Sequence, residues 1–172
     1  MKKMIIYLFL LCCAFLFSAC TSNSYRTTFF SQDERMIIRP YFEAFISGVN
    51  NQDEHAVRSL FAAPINSDSA LAEQIEATFS YLPTPLSIMT SATGCHSSSI
   101  YSDEIQRTEI DEIFTVECNN QVFYVAMKIC SEDSSNSDAT GIISIYFINS
   151  QDYHGDVYYR GDGKWTPGIN LQ

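Results

Sequence analysis

The chain has 172 residues, 46% of them apolar and 17% charged, with a formal net charge of −10 at pH 7. This is the composition of a globular chain, and it excludes collagen, coiled coil and wholesale disorder. The acidic balance argues against an electrostatic grip on nucleic acid, and anionic headgroups would repel it, so charge cannot hold the chain on a membrane.

The first element in the chain is a targeting segment. Lys2 and Lys3 precede Met4–Phe17, an unbroken apolar run, and Ser18-Ala19-Cys20 follows. A spanning helix needs about 20 apolar residues, more than the run supplies. Small residues before a Cys suit the narrow subsites of a secretory peptidase. The segment resembles the signal peptide of bacterial lipoproteins, with Phe17 where Leu is usual and Leu16 beside it. The resemblance implies a signal peptide over 1–19, lipidation at Cys20 (a diacylglycerol on the thiol, then a further chain such as palmitate) and a lipid-anchored place on the extracytoplasmic side of the cell membrane. The alternative is an uncleaved N-terminal anchor. Cleavage before Cys20 removes Lys2 and Lys3 and no acid, so the mature chain carries −12 where the full chain carries −10. Acyl chains contribute about 0.8 kcal/mol per buried methylene and would hold such a domain where its charge does not.

Residues 20–32 are expected to be a lipidated Cys and a polar tether, and 33–172 a single domain. Ile38, Phe42, Phe45 and Val49 recur at helical steps, with Pro40 predicting a helix start near Arg39 or a kink there. Asp53 is placed to cap a short helix carrying Ala56, Val57, Leu60 and Phe61. Leu71, Ile75, Thr78 and Leu82 predict a third helix, ended by Pro83 and Pro85. From Leu86 the period changes to two, which predicts four strands near 86–98, 106–118, 121–130 and 141–149. The fold class expected is α+β: three N-terminal helices packed on a curved, mainly antiparallel four-stranded sheet. Phe114 and Val116 are expected to share its core face with Phe123, Val125, Met127 and Ile129. The segment 132–138 reads as an acidic, solvated linker.

Three cysteines remain after Cys12, Cys13 and Cys20. An Asn119-Asn120 turn would set Cys118 opposite Gln121 and Cys130 opposite Glu109, on opposite faces, so those two should not pair. Buried free thiols are the expectation, and a bridge from Cys95 to either remains open. There is no Cys-x-x-Cys and the His residues are isolated, so no metal site and no cofactor is expected.

Asn51-Gln52-Asp53 with Ala56 and Leu60-Phe61, Gly94 with Ser97-Ser98-Ser99, Gly141-Ile142, and Trp165 with Pro167-Gly168-Ile169 resemble bacterial lipoproteins carrying the domain of unknown function 5104, from about Asp33 to Ile169. That resemblance implies a fold similar to nuclear transport factor 2, a curved sheet wrapped by helices around a conical cavity. It implies no reaction. The stretch 153–163, with three Tyr, a His and three Gly, departs from the family pattern.

In cones of this kind a buried Asp or His can move a proton beside a carbonyl, so a hydratase or isomerase is one expectation, with His96 and Asp111 as the ionisable candidates and Tyr124 as a hydrogen-bond donor. The favoured expectation is binding of a small molecule or protein at the cell envelope without catalysis, with Tyr153, Tyr158, Tyr159 and Trp165 as contact aromatics. A homodimer through the outer sheet face, where Tyr124 and Ala126 lie, is a third.

Overall fold

The computed structural model describes residues 24–29, 32–89, 95–102, 105–153 and 165–171, with side chains over 34–89, 106–153 and 165–171. Cys20, Gly94, Tyr158, Tyr159 and the His96 side chain lie outside the described residues. Helix α1 spans Gln32–Asn50 and buries Ile38, Phe42, Phe45 and Val49 completely on one stripe. It begins before the position near Arg39 where a start was expected and continues through Pro40. Pro40 is exposed, and Met36, whose carbonyl loses its donor to the proline ring, is 65% exposed, so water can replace the missing bond.

Asp53 caps α2, Glu54–Ser59, by accepting from the Ala56 N–H at 2.9 Å. Helix α3, Ala63–Asn66, is a single turn begun by Pro64, and α4, Ser69–Tyr81, is capped by Asp68 and buries Leu71, Ile75 and Thr78. The Asn50 side chain fixes the far end of α1. Its amide accepts from the Leu86 N–H at 2.7 Å and donates to the Leu86 carbonyl at 3.0 Å, much as a strand neighbour would.

The strands are β1, Ser24–Phe29; β2, Ser87–Ile88; β3, Cys95–Ser102; β4, Ile105–Cys118; β5, Gln121–Asp133; β6, Gly141–Asn149; and β7, Gly168–Leu171. All seven belong to one sheet, in which β3 to β7 lie side by side in chain order, β1 adds to β3 and β2 pairs with β4. Every pairing is antiparallel except β6 with β7, so the sheet is mixed. The expectation of three helices on a four-stranded sheet is therefore corrected to four helices and seven strands among the described residues. The run expected as one strand from Leu86 breaks into β2 and β3. Strand β7 has only four residues, and α3 is too short to show a helical period. Residues 24–29, expected as part of the tether, pair along β3.

The central hairpin follows the expected register, Cys118 opposite Gln121 and Glu109 opposite Cys130. Asn119 and Asn120 both have positive φ, 51° and 62°, as a type I′ turn demands. Cys118 and Cys130 are free and buried. Helices and sheet close one core, in which Phe42 stacks on Phe114 with centroids 3.8 Å apart and planes within 6°. A smaller apolar cluster lies on the opposite sheet face: Ile113, Ala126, Tyr146 and Ile148, with Tyr124, Tyr153 and Trp165 against it.

The acidic segment 132–138 is exposed, as expected, except at Asp133. Asp133 is buried, accepts from the Ser135 hydroxyl at 2.6 Å and from the Ser135 and Asn136 N–H groups, and pairs with Arg107 at 3.0 Å.

Candidate functional site

Strand β4 is long enough to serve two partners on one edge. β3 pairs with it as far as Cys95 opposite Glu112, and β2 begins at Ile88 opposite Val116, with the Met89 N–H bonded to the Thr115 carbonyl. The step between these pairings lies beside α1. A cavity of about 40 Å³ opens there, lined by Phe42, Phe114, Ile88 and Met89, by Glu112, and by Arg35 and Arg39 from α1.

Strand alternation puts Glu112 on the helix-facing side of the sheet, between Ile110 and Phe114. Its side chain is 1% exposed, and neither carboxylate oxygen has a hydrogen-bond partner. The Arg35 Nε lies 3.4 Å from one oxygen, an ion-pair distance longer than a good hydrogen bond, and Arg35 is 41% exposed. Arg39 is more exposed and its Nε is bonded to Glu43 at 2.7 Å. Burial raises the Glu112 pKa, and the charges of Arg35 and Arg39 oppose that rise without cancelling it. A carboxyl so placed keeps its proton to higher pH than an ordinary glutamate. It can donate or accept a hydrogen bond within a mostly apolar cavity, which suits either ligand recognition or proton transfer.

Asp111, the neighbour expected as a candidate base, points to the other face, opposite Lys128 and paired through the backbone with His96. Tyr124 lies on that outer face too, with its ring centroid 4.3 Å from that of Tyr153. Trp165 meets Tyr146 edge-on at 5.5 Å, and the Lys128 ammonium sits 5.8 Å from its ring centroid. Lys128 also pairs with Glu109 at 2.7 Å, which Arg107 links onward to Asp133. The structure thus brings Tyr124, Tyr153 and Trp165 to one patch, and sets Asp111 and Tyr124 on the side of the sheet away from the cavity. Glu112 is inconspicuous in the sequence because acids stand on both sides of Ile110 and Asp111 precedes it directly. The signal that would have found it is parity, since it shares the alternate positions of Ile110, Phe114 and Val116.

A second cleft, about 290 Å³, lies between α3, α4 and the start of β7. Gln74 on its wall already accepts from the Ile169 N–H at 2.9 Å. Among the described residues, no group of three or more His, Cys, Asp or Glu could hold a metal ion, and no helix is long and apolar enough to cross a membrane.

Residues 44–150 match the family model described as Domain of unknown function (DUF5104). The chain belongs to this family. The DUF5104 match runs from the second half of α1 to the end of β6, narrower than the 33–169 span of the resemblance. It takes in Glu112, Phe114, Ile88 and Met89 and stops short of Arg35, Arg39 and Phe42. No curated protein and no solved structure matches the chain.

Proposed function

We propose that this member of the DUF5104 family is a lipoprotein, held on the extracytoplasmic side of the cell membrane by acyl chains on Cys20, whose domain binds a small molecule in the cavity at Glu112 without converting it. Lys2, Lys3, the apolar run Met4–Phe17 and Ser18-Ala19-Cys20 support the anchor. Metabolic labelling with a palmitate analogue should mark the wild type and not Cys20→Ala, and equal labelling would sink the anchor.

One observation carries the binding role: a buried carboxyl with no hydrogen-bond partner lining a cavity at a step in the sheet. Buried polar groups are nearly always satisfied, so one left unsatisfied at a cavity wall is suited to a partner from outside the chain. Native mass spectrometry of the full chain, extracted in detergent from its own cells, should show a co-purifying small molecule that is lost in Glu112→Leu. A wild type that is always empty overturns the binding role.

The raised pKa of Glu112 favours a second reading, a cavity hydratase or isomerase in which Glu112, in place of His96 or Asp111, moves the proton. The helix layer over a mixed sheet supports an arrangement similar to nuclear transport factor 2, on which that reading leans. Dimerisation through the outer sheet face is a separate proposal, and light scattering of the full chain in detergent tests it.

A further inference from the structure

The chemistry around Glu112 narrows what can enter. On the cavity wall is a residue whose carboxyl is 1% exposed, with both oxygens lacking a hydrogen-bond partner. Beside it are two guanidiniums, which can only donate. The remaining wall is the Phe42–Phe114 stack with Ile88 and Met89. A lone cation would meet Arg35 and Arg39. A lone anion would meet Glu112. A purely apolar group would leave the Glu112 oxygens unpaired, which costs more than its burial returns for so small a group. A molecule that carries an anionic group and an N–H or O–H donor a few bonds apart answers both ends of the site.

Size gives a further limit. The cavity of about 40 Å³ compares with about 10–15 Å³ for one water, so it encloses roughly three water-sized groups and leaves the rest of a ligand at its mouth, beside the exposed guanidiniums. Guanidinium geometry suits a planar carboxylate, which accepts two parallel N–H bonds.

We propose that the cavity recognises a small carboxylate bearing an adjacent hydroxyl or amino group, with the ligand carboxylate on Arg35 and Arg39 and its donor on Glu112. This deepens the binding reading and rests on it. Ion pairing to the guanidiniums alone is weak because both are substantially exposed, so the donor contact at Glu112 supplies the selectivity.

The test is calorimetric titration of the full chain in detergent at pH 7 with four probes: glycolate, glycine, acetate and methylammonium. Glycolate or glycine should bind at least about tenfold more tightly than acetate or methylammonium, the difference one hydrogen bond to a charged group makes. Glu112→Leu should remove that preference while unfolding at or above the wild-type temperature, which shows that the variant is folded. Arg35→Gln should weaken glycolate and acetate alike. If acetate binds as tightly as glycolate and glycine and all three are lost in Glu112→Leu, the ligand class is wrong and the cavity remains a binding site. Binding that is unchanged in Glu112→Leu overturns the ligand class and the cavity together. No binding by any probe overturns the ligand class.

Discussion

Replacing Glu112 by Leu should stabilise the protein. The carboxyl sits on the apolar face of β4, 1% exposed, with no hydrogen bond and one ion pair at 3.4 Å to an arginine that is 41% exposed. An exposed partner of that kind returns about 0–1 kcal/mol. A buried polar group without a hydrogen bond costs about 1–3 kcal/mol, and more when charged. Leu fills a similar volume, and Arg35 keeps its water when the acid is gone, so little is lost on the other side. The net expectation is a gain of about 1–3 kcal/mol at pH 7, or about 3–9 °C in Tm for a domain of this size. The pH dependence provides an independent check. Because the folded-state pKa of Glu112 is raised, folding tolerates this residue fully below the ordinary value of 4.5, where both states are protonated. Stability is lost as pH rises from there through the folded pKa. The advantage of Glu112→Leu should therefore be smallest near pH 4 and grow toward neutrality. Thermal unfolding followed by circular dichroism, in one detergent at several pH values, measures both. A variant that melts more than about 2 °C below wild type at pH 7, or an advantage that does not change with pH, would show that the buried carboxyl is not a net cost to folding.

Other consequences follow from single positions. Gly141 has φ +127°, and a Cβ there would lie 2.8 Å from the Ala62 nitrogen and 2.9 Å from the Leu60 carbonyl oxygen, where β6 is bonded to the chain after α2. Gly141→Ala should cost about 3 kcal/mol or more, and a Tm within 2 °C of wild type, on the order of experimental scatter, would contradict that. Asn50→Ala removes both bonds to the Leu86 backbone and should lower Tm by about 4–8 °C, from roughly 2 kcal/mol; an unchanged Tm would show that water replaces them. Cys118 is 4% exposed and Cys130 fully buried, with burial pushing the Cys130 thiol pKa up, so peptide-mapped alkylation of both should be at least about 100-fold slower in the native chain than in urea. Labelling of Cys130 at the unfolded rate would mean that the C-terminal end of β5 separates readily from β4 and β6.

What was legible in the sequence is what a strong period or a turn demands. Ile38, Phe42, Phe45 and Val49 mark a helix because only a helix puts them on one stripe, and all four are fully buried. What escaped are elements held by something other than an apolar pattern. β7 is four residues long and is fastened by polar contacts: Gln74 accepts from its Ile169 N–H, and the Asn170 amide donates to the carbonyls of Thr166 and Ile145. β1 lies in a stretch rich in Ser and Thr and joins the sheet by backbone pairing, which leaves no periodic mark.

The site is a different case, because the rule that locates it was available from the hairpin alone. With Asn119 and Asn120 as the turn, Cys118 lies opposite Gln121 and Phe114 opposite Val125, so even positions of β4 share a face with odd positions of β5. The same step places Glu112 opposite Met127, whose side chain is fully buried in the core. Asp111 then falls opposite Lys128 on the other face, away from the cavity. Ile113 hides this by putting an apolar residue on the outer face too, beside Ala126 and Tyr146, so both parities of β4 look half hydrophobic. The inner acid has an arginine from α1 as its ion-pair partner, and that arginine is half exposed. The charge is therefore only partly neutralised, and a group entering from solvent can complete the neutralisation.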